Sequence, residues 1–339
     1  MKVLLTGYFG FGNAGDEMIL YVMKKKFREM GYTVYTLAKN PEDTNEFNRS
    51  NIIDILSVIK KSDVVINGGG GILQDKTSAK SLYYYLLIMK MAEMMHKKVA
   101  VFAQGIGPIY RGIDRVMLRN VLNSAELITV RDAYSLNILK NIGVKKAIYL
   151  TGDLAFLYNE EESISLPYEH FILYTIGKAK RMPPLIVLAD VGNYVKKVTN
   201  LPVIIVPFYP ERDGKITKEL SEILHSPHIF PKDIAQYTYI VEKSTFVVGM
   251  RYHSLLLSAL KGKAFVGLSY DPKVTSIMQE FGVDGIKDYG NLSIMDFKKV
   301  FEKNFRERFR IQKELKKKVA FLKKEADKNF ELFKRKIEQ

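Results

Sequence analysis

Short apolar runs rich in valine, isoleucine and leucine recur along this chain, and most of them end in glycine or a polar residue before a helical pattern begins. Lys2–Thr6 leads into a helical stretch from about Asp16 to Met30, and Thr33–Ala38, Val64–Asn67, Val99–Ala103, Leu127–Val130 and Ile148–Thr151 continue the rhythm. Parallel neighbouring strands need a crossover between them, and the usual crossover is a helix, so the alternation specifies βαβ units and a parallel sheet. A charged, loop-like stretch, Asn159–Pro167, interrupts it and reads as a linker. The rhythm then restarts with Phe171–Thr175, a helix near Leu185–Thr199, Val203–Pro207, a helix around Lys215–Leu224, Phe246–Gly249 and Ala264–Leu268. At 339 residues the chain exceeds the size at which one core usually stops growing. The expectation is an α/β protein of two Rossmann-like, doubly wound domains, residues 1–160 and 166–295, followed by a basic amphipathic C-terminal helix over 296–339.

Net charge points to an anionic partner. The formal value is +15, and residues 296–339 carry 16 Lys and Arg against 8 Asp and Glu, so over half of the surplus sits in the last segment. Phe297, Phe301, Phe305 and Phe309 are spaced by four there, which is helical. The segment reads either as a packed amphipathic helix with a solvated basic face or as a surface helix that also touches anionic lipid. The absence of cysteine excludes disulfides and thiolate chemistry and is compatible with a cytoplasmic protein. The first residues, MKVLLTGYFGFGNAGDE, turn glycine-rich and acidic where a signal peptide would stay apolar, and are read as a first strand. No stretch approaches the roughly 18–20 uninterrupted apolar residues of a membrane span.

In open α/β sheets ligands bind beyond the carboxyl ends of the strands, so the loops after each apolar run are the informative ones. Gly10-Phe11-Gly12-Asn13-Ala14-Gly15 has the form G-x-G-x-x-G. A dinucleotide is nevertheless disfavoured. The segment after the second strand, Ala38-Lys39-Asn40, lacks the acid for a ribose hydroxyl, and Asp16 and Glu17 place carboxylates where a pyrophosphate would dock. What remains is a glycine turn presenting Asn13 and Asp16 to a ligand, or an Asp16 that only caps its helix. Gly68-Gly69-Gly70-Gly71 follows the strand ending at Asn67 and leads to Gln74 and Asp75. The run suits a phosphate or carboxylate nest, with a plain strand–helix turn as the alternative.

Gln104 opens the loop after Val99–Ala103, and Arg131 ends the strand Leu127–Val130. Arg131 can bind a carboxylate or phosphate with its fork of donors, or pair with Asp132. Gly249-Met250-Arg251-Tyr252-His253-Ser254 closes a strand of the second half and opens an apolar helix, which makes His253 an acid–base candidate against a purely structural role. HExxH, a close His/Asp ligand set and G-x-S-x-G are all missing, so neither a metal nor another cofactor is expected.

With GYFGFGNAGDE, GGGGILQD, AQGIGP, TVRD and GMRYHSLLLSAL in this order, each at an expected strand end, the chain resembles the polysaccharide pyruvyl transferase family, CsaB-type, from Gly7 to about Ile277. The resemblance implies a GT-B-like fold with two domains facing a cleft and a final helix crossing back onto the first. It implies phosphoenolpyruvate as donor and a lipid-diphosphate-linked saccharide containing N-acetylmannosamine as acceptor. The product would be a 4,6-ketal on a secondary cell-wall polymer that anchors S-layer proteins, made in the cytoplasm with peripheral contact to an anionic membrane. Nucleic acid is not an expected partner.

By matching positions, Asn13, Asp16, Arg131 and His253 take the family's functional places. His253 would act as acid, Asp16 as base, and Asn13, Gly69, Gly70, Gln74, Gln104, Arg131 and Arg251 would contact substrate. A nucleotide-sugar glycosyltransferase of the same fold and a non-catalytic sugar- or lipid-binding scaffold are the alternatives.

Overall fold

The computed structural model describes residues 1–76 and 78–338. Its first compact unit comprises residues 1–11, 15–158 and 322–339, and the second comprises 12–14 with 159–321. In the first unit the elements run β1 (Lys2–Thr6), α1 (Ala14–Glu29), β2 (Thr33–Ala38), β3 (Glu46–Asn48), α2 (Ile52–Lys61), β4 (Val64–Gly68), α3 (Ala79–Met94), β5 (Lys98–Gln104), α4 (Gly112–Leu122), β6 (Leu127–Val130), α5 (Ala133–Asn141) and β7 (Ile148–Leu150). All seven strands are parallel, in the order β3-β2-β1-β4-β5-β6-β7. The chain therefore winds outward from β1 to one side and from β4 to the other, and the two halves part between β1 and β4.

The second unit contains β8 (Ile172–Thr175), α6 (Leu185–Thr199), β9 (Val203–Ile205), α7 (Pro210–Leu224), α8 (Ile234–Lys243), β10 (Phe246–Gly249), α9 (Tyr252–Leu260), β11 (Phe265–Leu268), α10 (Pro272–Phe281), β12 (Gly285–Ile286) and α11 (Ile294–Arg306). Its five strands are also parallel, ordered β12-β11-β10-β8-β9, with the winding direction changing between β8 and β10. Strands this apolar, with Val247, Val248, Ile172 and Leu173 buried at 0–1% exposure, need cover on both faces, as parallel sheets do. The α/β class expected from the sequence is the one observed.

The C-terminal segment differs from the single helix read over 296–339. It forms α11 and then α12 (Arg308–Ile337), with a break at Glu307. Phe297, Phe301 and Phe305 stack along α11 with 5.6 Å between successive centroids, but the break carries Phe309 out of that stripe and leaves it 69% exposed. The far end of α12 is core of the first unit. Phe330 and Phe333 pack on Phe27 and Phe102 with centroids 4.9–6.1 Å apart. Buried Asn329 accepts from the hydroxyls of Thr129 (2.5 Å) and Thr151 (3.0 Å) and donates to the carbonyl of Gly152 (3.3 Å), so it closes the polar ends of β6 and β7. Among the described residues no helix is long and apolar enough to cross a membrane.

Candidate functional site

In the first unit the point where winding reverses carries the glycine loops. The run Gly68–Gly70 is glycine because α1 lies against it. A Cβ on Gly68 would stand 2.4 Å from Met23, on Gly69 2.1 Å from Ile19, and on Gly70 2.4 Å from Oδ1 of Asp16. Residues 16, 19 and 23 form one stripe of a helix, so three consecutive glycines let that stripe approach the strand end. The consequence is chemical: the 7%-exposed carboxylate of Asp16 is held against the loop at Gly70. Asp16 lies within the first turn of α1, and Asn13 precedes that turn, half-buried.

The loop amides are partly committed. Gly69 donates to the carbonyl of Phe102 (2.9 Å), so it cannot serve a ligand through that N–H. Glu17 accepts from the amides of Gly10 (2.9 Å) and Phe11 (3.2 Å), so a dinucleotide pyrophosphate would have to displace a carboxylate there. Gly105 donates to the carbonyl of Gly70 (2.9 Å) and Gly107 to that of Leu73 (2.8 Å), which ties the two glycine loops together. Half-buried Gln74 lies on the segment so tied, and the carboxylate of Asp75 accepts from the amides of Tyr110 and Arg111.

Arg131 is 4% exposed and lies beside Gly105, whose Cβ would stand 2.9 Å from Nε and 3.0 Å from Nη2. Its Nη1 donates to Asp153 Oδ2 at 2.6 Å, and Asp153 is itself 3% exposed. Asp132, the partner suggested by sequence proximity, stands further off at 3.6 Å and caps α5 instead. Asp153 therefore orients the guanidinium from a position no strand-end pattern singles out.

A second feature absent from the sequence reading is a group of buried polar side chains. Thr6 and Gln104 end β1 and β5, and Asn67 is the last residue but one of β4; all three are 0–1% exposed and have side-chain atoms with no protein hydrogen-bond partner among the described residues. Pairing places Thr6 opposite Asn67 and Asn67 opposite Val101. A bulge at Ala103, with φ +48, shifts the register so that Gln104 falls on the same face as Val101. Bulges near sites re-aim side chains in this way. Buried polar groups are costly without partners, and two amides and a hydroxyl on one face behind the glycine loops form a polar floor suited to a hydrogen-bonding ligand.

In the second unit the loops after β8 and β10 stand at its own reversal point. Arg251 donates from Nε to Asp213 (2.9 Å), from Nη2 to the same carboxylate and to the Lys178 carbonyl (3.2 Å), and from Nη1 to the Tyr270 hydroxyl (3.1 Å). All three nitrogens are thus engaged within the protein, which is a positioning arrangement. Burial opposes the charge on Arg251, yet the Asp213 and Tyr270 bonds outweigh it and hold the guanidinium protonated. Gly177 is glycine because Asp213 would lie 2.4 Å from its Cβ. His253 is the second residue of α9, in edge contact with Tyr252, and Arg251, which precedes the helix at its N-cap, gives its first amides no side-chain cap. An uncapped helix start and an imidazole together can hold an anion and pass a proton.

This is the GT-B-like class of α/β protein, with parallel doubly wound sheets and polar loops at both reversal points. The chain belongs to the polysaccharide pyruvyl transferase family, whose model matches residues 13–272, and it is a transferase. No curated protein matches the sequence. Among solved structures it is similar to UDP-GlcNAc 2-epimerase from Methanocaldococcus jannaschii, 13% identical over 90% of this chain and 92% of that one, with a TM-score of 0.63. A glycosyltransferase from Rickettsia africae is similar at 13% identity over 98% of each chain, with a TM-score of 0.61. At such identity these likenesses concern the fold.

Proposed function

We propose that the chain transfers the pyruvyl group of phosphoenolpyruvate to two hydroxyls of a sugar in a cell-wall polymer precursor, forming a 4,6-ketal and releasing phosphate. The observation that carries the reading is the packing of Asp16 and Arg131 on the joined glycine loops at the strand ends, within the residues matched by the family. The acceptor is the N-acetylmannosamine of a lipid-diphosphate-linked saccharide, as in CsaB-type enzymes, and the work is done in the cytoplasm at the inner membrane face.

The chemistry balances as follows. A proton adds to the methylene carbon of the enol, which becomes the methyl group. The adjacent carbon, now electrophilic, accepts two sugar oxygens in turn, and its bond to phosphate oxygen breaks. Of the two hydroxyl protons lost, one replaces that given to carbon and one leaves on phosphate. His253 supplies the proton, a general-acid role typically worth about 10²–10⁴ in rate. Asp16 accepts a hydroxyl proton, Asn13 and Gln104 orient the sugar, and Arg131 with the amide of Gly70 faces the donor's anionic groups. Arg251 positions the turn that carries His253.

Release of phosphate from phosphoenolpyruvate, measured with a synthetic lipid-diphosphate disaccharide and followed by identification of the ketal, tests the reading. His253→Ala should abolish most of the release with little change in melting temperature, and a variant that keeps it removes the acid role. In calorimetry, phosphoenolpyruvate should bind and UDP should not. The reverse result would favour a nucleotide-sugar glycosyltransferase.

A further inference from the structure

On the flank of the first unit, α2 and α3 border a groove of about 390 Å³ walled by Ile52, Ile55, Leu87, Ile88 and Met91, with Arg49 at one end. Ile52 and Leu87 are 53% and 56% exposed, and Ile53 and Met94 continue the apolar surface along the same helices at 73% and 71%. Leu87, Met91 and Met94 follow the i, i+4, i+7 stripe of one helix face. A contiguous apolar surface of this kind, unlike single exposed side chains, marks a binding surface.

The polar end is unusual. Arg49 follows β3, and its guanidinium lies 4.6 Å from the ring centroid of Tyr84 and 4.9 Å from that of Phe11. It donates to the carbonyl of Gly7 (2.8 Å) and the hydroxyl of Tyr85 (3.2 Å). These partners are all neutral. Among the described residues no carboxylate pairs with Arg49, and Asp54, the acid of α2, accepts from the amide of Asn48 instead. The Lys39 ammonium stands 4.9 Å from the centroid of the same Phe11 ring. Burial pushes the Tyr85 hydroxyl up to about 12 against the pull of Arg49, and the charge of Asp16 adds to the rise. A fixed cation without a counter-charge, at the end of an apolar channel, is complementary to a phosphate attached to a hydrocarbon chain.

We propose that this groove binds the hydrocarbon chain of a single-chain lipid diphosphate, with Arg49 holding the diphosphate. The site deepens the proposed function and rests on it only in identifying this lipid as the carrier of the acceptor sugar.

Titration calorimetry of the intact chain with farnesyl diphosphate and with inorganic diphosphate tests it directly. Farnesyl diphosphate should bind at least about tenfold more tightly, because only it can bury a chain. In the double variant Ile52→Ser/Leu87→Ser the two affinities should converge, with inorganic diphosphate unaffected and the melting temperature unchanged, since both positions are exposed. Arg49→Gln should weaken both ligands by about tenfold. Equal affinity of the wild type for the two ligands, or a preference surviving in the double variant, overturns the proposal. So does binding to phosphatidylglycerol vesicles without binding to farnesyl diphosphate, which would mark a general membrane surface. Phosphate release by the wild type on a lipid-free disaccharide diphosphate reads the pyruvyl chemistry separately, so either conclusion can fail alone.

Discussion

Replacing Gly70 by alanine separates backbone cost from the contact that sets Asp16. Gly70 has φ +70, in the left-handed region, where an alanine costs about 1–2 kcal/mol. A stiffer unfolded chain returns about 0.4–1 kcal/mol of that. Gly12 is the internal control: its φ is +67, but its Cβ would meet nothing within 4 Å. Gly12→Ala is therefore expected to cost about 1 kcal/mol. At Gly70 the new methyl would stand 2.4 Å from Asp16 Oδ1, too close for carbon and oxygen, so the carboxylate must move by about an ångström, and overpacking adds about 1–3 kcal/mol. Urea unfolding should place Gly70→Ala about 2–4 kcal/mol below wild type. Phosphate release should fall by about 10²-fold, the usual effect of misplacing a reacting group by that distance. Equal unfolding midpoints for the two variants, with rates within about threefold of each other, would show that the Asp16 contact matters neither to stability nor to catalysis.

Three further outcomes can be checked. Asp213→Asn leaves the buried Arg251 charge half-paired and should cost about 3–5 kcal/mol in urea, whereas Asp284→Asn, which breaks the exposed pair with Lys303, should leave the urea midpoint essentially where it is in the wild type. Asn329→Leu strips partners from Thr129, Thr151 and the Gly152 carbonyl, and denaturation followed by circular dichroism should show a loss of about 2–4 kcal/mol. Arg131→Lys keeps the charge but not the fork that reaches Asp153 beside Gly105, so kcat/KM for phosphoenolpyruvate should drop at least tenfold, roughly the size of a lost charged hydrogen bond. Full activity in that variant would reduce position 131 to a point charge.

The fold was legible where side chains repeat with a period. Val64–Gly68 and Phe246–Gly249 are fully buried strands and read as apolar runs, so both sheets could be anticipated. Glu46–Asn48 could not, because a three-residue edge strand with only partly buried side chains has no pattern to show. The break between α11 and α12 falls at Glu307, with neither glycine nor proline to announce it. At the candidate site Asp16, Gly70, Gln104, Arg131 and His253, in the segments that follow strands, were visible because glycines and charges interrupt apolar runs there. Asp153 and Asp213 were not. Their pairings to Arg131 and Arg251 span 22 and 38 residues, and only the folded chain brings them together. Thr6 and Asn67 look like ordinary residues near the ends of strands until burial shows their side chains without protein partners.

Both units solve one electrostatic problem in the same way. An arginine at a strand end is wanted beside the loops, yet a lone guanidinium in a buried position would be expelled by desolvation. Each is therefore backed by a fully buried aspartate, Asp153 for Arg131 and Asp213 for Arg251, and in each case a glycine gives the room: Gly105 lies against the guanidinium and Gly177 against the carboxylate. A neutralised pair attracts a distant anion only weakly, because its two charges nearly cancel a few ångströms away. Its value is directional, since a fork held rigid on one side presents its remaining N–H groups at a fixed angle on the other. Long-range attraction must then come from cations without such partners, and Arg49 at the mouth of the α2/α3 groove meets that description in the first unit. On the proposed function a division of labour follows: the paired arginines would set the geometry of the reacting groups, and the unpaired Arg49 would gather the anionic substrate.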